Sequence, residues 1–233
     1  MTSTTAVASR LEAVRARIAE ACARAGRDPA GVTLVGVTKI HPLEVVREAL
    51  DAGLVDLGEN RAQELVPKAE AAAAAGLGPR WHFIGHLQRN KARDVLPHVH
   101  ALHSLDSPAL VAEIERRLPA LAPAGAPSRL RCYLEVNVSG EAQKHGVAPA
   151  DLAALLRAAA ASPALDVVGL MAVAPLVDDP ERARPVFREL RALAGAHGLA
   201  GLSMGMTDDF EVAVEEGATI VRVGRAIFGE RRG

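Results

Sequence analysis

Eight short apolar runs, most of them separated by helical stretches, constrain the fold of this chain more than any other feature. They fall at Val32–Val37, Val55–Leu57, Trp81–Ile84, Val99–His103, Leu130–Val138, Val167–Ala172, Leu202–Met204 and Thr219–Val223. The first is β-branched and apolar on both parities, which suits a strand buried on both faces. Strands interleaved with helices require crossover connections, and these build parallel sheets. Eight is the number that closes a parallel barrel, so one α/β domain over 1–233, a single (β/α)8 TIM-like barrel, is predicted. An open doubly wound sheet has the same alternation and stays the alternative, because alternation does not show closure. Ahead of the first run, Val7, Leu11, Val14, Ile18 and Ala21 recur at steps of four and three, which makes residues 7–25 an amphipathic helix. It is expected to pack on the barrel from outside. Pro42 opens a helical stretch that stops at Gly53, and the Pro/Ala-rich Pro119–Pro127 segment reads as a loop.

The interior must be built mainly from Ala, Val, Leu and Ile, since 49% of residues are hydrophobic but only 3% aromatic. Lys and Arg number 27 against 28 Asp and Glu, a net charge of −1, so nothing global draws the chain to nucleic acid or an anionic membrane. Any anion site must be local. The start at Met1-Thr2-Ser3-Thr4 lacks a basic region, and no uncharged apolar run approaches the roughly 18 residues of a span. A soluble, cytoplasmic monomer is the expectation. Cys22 and Cys132 stand far apart without a CxxC and read as buried thiols.

In parallel barrels the chemistry lies where strands run out into the following loops. Here those positions are polar: Thr38-Lys39, Gly58-Glu59-Asn60, Gly85-His86, Ser104-Leu105-Asp106, Asn137 and Ser139, Ser203-Met204-Gly205-Met206-Thr207, and Gly224-Arg225. Lys39 shares side-chain parity with Val35 and Val37, which aims its amine into the barrel. Desolvation would lower its pKa and free the lone pair needed to capture an aldehyde. A strand-end lysine reaching back to solvent is the plain alternative. After the last two strands, Ser203 to Asp209 and Val223-Gly224-Arg225 each pass through a glycine turn into a helix, a layout that often holds phosphate. Ser203 and Thr207 offer hydroxyls and Arg225 a cation, although helix capping alone would explain Thr207 or Asp208. Arg222 lies inside the last strand and needs an acceptor, for which Glu135 is one structural choice and a ligand atom the other.

An amine and a phosphate cradle at one mouth imply a phosphorylated aldehyde or ketone. Pyridoxal 5′-phosphate fits, and so does a sugar phosphate handled by a lysine-dependent aldolase. Other polar groups are weaker signals. His98, His100 and His103 lack the carboxylate that would complete a metal site, so no metal is expected. His82 and His86 suit polar positions near the mouth, with a hydrogen-bonded core position equally suited to His82. The basic Gln88 to Arg93 segment reads as a solvated helix face and not as a nucleic-acid site.

Several motifs decide between the two carbonyl chemistries. Val35-Gly36-Val37-Thr38-Lys39, Gly58-Glu59-Asn60, Trp81-His82-Phe83-Ile84-Gly85-His86-Leu87-Gln88, Glu135-Val136-Asn137-Val138-Ser139, Lys144-His145-Gly146, Gly169-Leu170-Met171, Leu202-Ser203-Met204-Gly205-Met206 and Val221-Arg222-Val223-Gly224 occur in this order. In them the chain closely resembles, over nearly its whole length, the pyridoxal phosphate homeostasis proteins, also called the proline synthase co-transcribed or YggS family. That family is similar to the barrel domain of alanine racemases standing alone.

The resemblance implies a Schiff base between Lys39 and pyridoxal 5′-phosphate. It further implies phosphate contacts from Ser203, Thr207 and the backbone of Gly224 and Arg225, Arg222 facing the pyridine nitrogen, and Asn60 beside the ring. An arginine there weakens the electron sink that many pyridoxal enzymes use. The implied role is intracellular homeostasis of the cofactor, with amino acids and pyridoxal-dependent client enzymes as partners and no established turnover. A small racemase or decarboxylase is the alternative. Arg225 departs from the family's frequent Ser or Thr, His41 stands where several members carry a second lysine, and the chain ends Arg231-Arg232-Gly233 without terminal lysines. At Arg225 a hydroxyl contact to phosphate is lost and a charge gained, and the other two departures bear on any hand-over of the aldehyde between lysines, for which Lys144 remains.

Overall fold

A computed structural model describes residues 6–121 and 129–229. Helix α1 (Ala6–Arg24) precedes β1 (Thr33–Val37), α2 (Leu43–Asp51), β2 (Asp56–Glu59), α3 (Ala62–Ala74) and β3 (Arg80–Phe83). A short α4 (Ala92–Val95) leads to β4 (Val99–Leu105), α5 (Pro108–Leu121), β5 (Leu130–Glu135), α6 (Leu152–Ala161) and β6 (Leu165–Met171). The chain then forms α7 (Arg184–Ala196), β7 (Gly201–Ser203), α8 (Phe210–Glu215), β8 (Ile220–Val223) and α9 (Arg225–Phe228). All eight predicted runs are strands.

The strands pair in chain order, all parallel, and β8 returns to β1 through Thr33↔Ile220, Leu34↔Val221 and Val35↔Arg222. The sheet is therefore a closed (β/α)8 barrel, and the open alternative does not apply. Alternation divides each strand between two environments. Outward residues such as Leu57, Leu102, Leu134 and Val221 join the helices in the main apolar core. Inside, Val35, Tyr133, Met171 and Ile220 form only a small apolar cluster. The rest of the lumen holds polar side chains, among them His82, His103, Ser203 and Arg222. Around β6 and β7 the backbones approach closely, and a Cβ on Gly169 would lie 2.0 Å from the Gly201 carbonyl oxygen.

Helix α1 buries the predicted stripe of Val7, Leu11, Val14, Ile18 and Ala21. It packs against α2, α8 and α9, so it closes the outer helical layer beside the seam between β8 and β1. Arg17 covers the Phe210 ring at 4.6 Å and pairs with Glu211. Pro119 differs from expectation: it sits near the end of α5, where the proline's missing N–H removes one helical bond. The remainder of the predicted loop, residues 122–127, lies outside the described residues, as do the terminal Arg231, Arg232 and Gly233. Both cysteines are buried free thiols, and burial pushes Cys132 up to about 12. Among the described residues no helix is long and apolar enough to cross a membrane.

Candidate functional site

Strand β1 ends at Val37, and Thr38 to His41 make a tight turn in which the His41 N–H donates to the Thr38 carbonyl at 3.0 Å. Lys39 is half-buried at the centre of that turn. The next residue, Ile40, has φ 62°, a left-handed conformation that costs a β-branched residue of order 1–2 kcal/mol. Such strain persists only when neighbours hold it, and α3 supplies them. Glu64 accepts from the Ile40 N–H at 2.6 Å, and Lys68 donates to the Thr38 carbonyl at 2.8 Å and to the Glu59 carboxylate. Thr38 Oγ1 donates to the same Glu59 at 2.7 Å. Burial raises the Glu59 pKa, while Lys68 and Thr38 oppose that shift. A buried ionic buttress beneath the turn thus fixes where Lys39 emerges.

Lys39 lines a cavity of about 210 Å³ at the C-terminal mouth of the barrel, together with Val37, His41, Thr207, Arg222, Gly224 and Arg225. The two phosphate-type loops and the lysine turn therefore meet at one place, as the strand-end reading predicts. Thr207 Oγ1 accepts from the Gly224 N–H at 3.3 Å, which ties the loop after β7 to the loop after β8. Helix α9 begins at Arg225, so its leading N–H groups have no acceptor within the helix. The Arg225 guanidinium pairs with the Asp208 carboxylate, which offsets part of its charge at the rim. Neither Thr207 nor Asp208 caps α8: Asp209 stands at the N-cap position, and its carboxylate accepts from the Met206 N–H at 2.6 Å, within the turn before the helix. His41 closes one side, its ring 5.6 Å from Phe228. Burial, and then Lys68, lowers its pKa and favours the neutral ring.

Arg222 is 4% exposed and buried in the lumen under this cavity. Its Nη1 donates to the Ser203 carbonyl at 2.7 Å and to Ser203 Oγ at 2.6 Å, and its Nη2 donates to the Ala172 carbonyl at 3.0 Å. The acceptor that an inward arginine needs is therefore β6 and β7 backbone plus one hydroxyl, and Glu135 acts on it as a neighbouring charge. Burial draws Arg222 down to about 10, against the pull of Glu135 and Asp209, which leaves it a cation at neutral pH.

Behind Arg222 runs a chain that periodicity does not reveal. Ser203 Oγ lies 2.7 Å from His103 Nδ1, His103 Nε2 lies 2.9 Å from His82 Nδ1, and His82 Nε2 lies 3.0 Å from Asp56 Oδ1. The two ends fix the direction of the hydrogens. Arg222 only donates, and Asp56 only accepts: burial raises its pKa, but bonds from His82 and Arg80 overcome this and hold it at about 2. Where each middle member accepts one hydrogen and passes on one, every hydrogen points from Arg222 through Ser203, His103 and His82 to Asp56. His103 is fully buried and held well below the usual imidazole range, first by burial and then by His82 and Arg222. The only sequence signal was residue type: four polar side chains at strand positions facing inward.

Two of the predicted residues stand apart from the cavity. Ser203 is fully buried, and its hydroxyl is engaged by Arg222 and His103 and does not line the mouth. Asn60 is half-buried after β2, its Oδ1 without a hydrogen-bond partner, and its carbonyl lies where a Cβ on Gly85 would come within 2.1 Å. His82 is a core residue, not a mouth residue, whereas His86 is at the mouth, 3.0 Å from Asp106. Lys144 pairs with Glu141 and donates to Ser139 Oγ and the Val173 carbonyl, outside the Lys39 cavity. A larger cavity of about 400 Å³ opens at the other end of the barrel, lined by Thr33, Asp56, Arg80, His100 and Arg131. It contains no amine, and it lies at the strand starts, the end that barrels use for stability.

Glu135 is 8% exposed, with Oε2 unpartnered, and its pKa is pushed up to about 7 by burial and then by Asp106. Its folded-state pKa lies above the unfolded value, so it favours the folded state at acid pH and loses that contribution as pH rises toward 7. Glu135→Gln is therefore expected to leave stability unchanged near pH 4 and to raise it at pH 8, by up to about 3 kcal/mol. Thermal melts of both proteins at the two pH values, with chelator present, check this; an equal offset at both would contradict it.

Residues 9–232 match the family model described as alanine racemase, N-terminal domain. The chain is 46% identical over 227 residues to the pyridoxal phosphate homeostasis protein of Pseudomonas aeruginosa, spanning 97% of this chain and 96% of that one. It is 44% identical over 230 residues to the protein of the same name from Aquifex aeolicus, spanning 96% and 97%. Among solved structures, PipY of Synechococcus elongatus with pyridoxal phosphate bound superposes with a TM-score of 0.80 at 33% identity, covering 96% of this chain and all of that one. A closed eight-stranded barrel, a lysine at the end of its first strand and likeness along nearly the whole length lead to one assignment: the chain belongs to the pyridoxal phosphate homeostasis protein family, built on the alanine racemase N-terminal barrel.

Proposed function

We propose that the mouth cavity binds pyridoxal 5′-phosphate and that the protein serves homeostasis of this cofactor instead of turning over a substrate. The observation that carries the reading is the meeting of a lysine, two arginines, a threonine hydroxyl and the Gly224 backbone in one cavity of about 210 Å³. That donor set fits a phosphorylated pyridine aldehyde: an amine for the carbonyl, a cation for the ring nitrogen, and N–H and hydroxyl groups for the phosphate. The naming of the curated relatives and the ligand in the PipY structure support it.

In this reading Lys39 Nζ captures the aldehyde, forming a C=N bond with loss of water, and the strained turn at Ile40 keeps the amine at the mouth. Thr207, Gly224 and Arg225 hold the phosphate. Arg222 donates toward the ring nitrogen, and Ser203 acts through Arg222, which its carbonyl and hydroxyl anchor. When bound, the cofactor supplies a carbonyl that captures amines and a ring able to draw electrons from them. Arg222 works against the second capacity. A fixed cation is a poor acceptor for a ring proton, and the one-way chain to Asp56 keeps it a donor. Binding and exchange are thereby favoured over carbanion chemistry.

Pyridoxal phosphate added to colourless protein should give visible absorbance that saturates at one equivalent per chain. Amino acids should perturb that absorbance without product appearing by chiral chromatography. Absence of uptake in equilibrium dialysis would remove the binding reading. Accumulation of a racemised or decarboxylated product over many turnovers would replace the homeostatic one with a small enzyme.

A further inference from the structure

A second cluster of donor atoms lies on the other arc of the mouth, in the segments that follow β3, β4 and β5. His86, Asp106 and His145 each offer one ligand atom, and these atoms all lie within 4.8 Å of one another. None of the three lines the Lys39 cavity. His86 Nδ1 lies 3.0 Å from Asp106 Oδ2, and the His86 and His145 rings stack 4.1 Å apart at 10°.

Each donor is mounted on a fixed backbone. Gly85, just before His86, abuts the Asn60 carbonyl and has its own carbonyl bonded by Ser104 Oγ at 2.5 Å. Asp106 directly follows the last residue of β4. His145 sits in a loop pinned on both sides. On one, Lys144 is held by Glu141, Ser139 and the Val173 carbonyl. On the other, Val147 folds back along β5, exchanging bonds with the Glu135 carbonyl at 2.8 Å and the Asn137 N–H at 2.9 Å. The ordering of three loops that a metal site requires is thus present before any ion binds.

We propose that His86, Asp106 and His145 bind one divalent late first-row transition ion, zinc foremost, at the rim of the barrel. Two imidazoles and one carboxylate are the donor set such ions take, whereas calcium and magnesium prefer oxygen alone. Three protein ligands leave at least one coordination position for water or an incoming carboxylate. The ion would lock together the three loops that frame the mouth opposite Lys39. This site is independent of the pyridoxal phosphate reading, because it shares no residue with that cavity.

The test uses full-length, tag-free protein, stripped with chelator, in buffer without phosphate. Calorimetric titration with Zn2+ should give one ion per chain, and Co2+ should give visible bands without thiolate charge transfer, since both cysteines are buried elsewhere. Zn2+ should also raise the melting temperature. His86→Ala and His145→Ala should each weaken Zn2+ binding by roughly tenfold or more and abolish the thermal gain, with circular dichroism confirming the fold. His100→Ala, at the opposite end of the barrel, should bind as the parent does. Unchanged Zn2+ affinity in both His86→Ala and His145→Ala, or equal loss in His100→Ala, would overturn the site. So would the absence of any binding at micromolar concentration.

Discussion

Lys39→Ala is expected to abolish all borohydride-fixed pyridoxal label while leaving weak, reversible uptake of the cofactor. The contacts to ring and phosphate proposed for Arg222, Thr207, Gly224 and Arg225 do not involve Lys39, so binding should fall without vanishing, by roughly 100-fold or about 3 kcal/mol. Stability should stay within about 0.5 kcal/mol of the parent, because the side chain sits at the mouth and the buttress of Glu59, Glu64 and Lys68 acts on the turn backbone and Thr38. Lys39→Arg should fail to restore the label, since a guanidinium does not give up the proton that carbonyl capture requires. Equilibrium dialysis with and without reduction separates the two modes. Persistence of the fixed label in Lys39→Ala would move the reactive amine elsewhere.

Arg222→Ala should produce the opposite pattern. The side chain is buried and bonds two carbonyls and the Ser203 hydroxyl, so its loss removes three buried hydrogen bonds, strips the Ala172 carbonyl of its side-chain partner and opens a cavity in the lumen. A destabilisation of about 3–5 kcal/mol follows. For a chain of this size that corresponds to a fall of very roughly 6–20 °C in melting temperature. The covalent link to Lys39 should survive at low temperature, with a displaced absorption maximum once no fixed cation faces the ring. Arg222→Lys should recover part of the stability, since an ammonium cannot reach both the Ala172 and Ser203 acceptors as the planar fork does. If Lys39→Ala and Arg222→Ala behaved alike in label and melt, their separate roles would be wrong.

The fold was legible because each strand announces itself in a short apolar run, and eight such runs with intervening helices leave few architectures. Closure itself was not legible, since it depends on β8 finding β1 across nearly the whole chain. Lys39 could be singled out because parity with Val35 and Val37 survives two residues past the strand end. Its mounting could not. The positive φ of Ile40 and the reach of Lys68 beneath Thr38 are tertiary facts that no local pattern encodes. Ser203 shows the same limit from the other side. A serine before a glycine turn reads as a phosphate ligand, yet β7 turns its hydroxyl into the lumen, where Arg222 and His103 reach it first. The relay from Arg222 to Asp56 joins residues from five strands, and residue type at each strand does not link them.

The sequence contains only four lysines, Lys39, Lys68, Lys91 and Lys144, which makes one measurement decisive. Protein saturated with pyridoxal 5′-phosphate, reduced with borohydride and digested, should yield a single pyridoxyl-bearing peptide, the one containing Lys39. Lys68 is occupied by Glu59 and Thr38, and Lys144 by Glu141, so neither should carry more than trace label. A label on Lys144, spread evenly over the four, or absent altogether would contradict the assignment of the mouth cavity as the cofactor site.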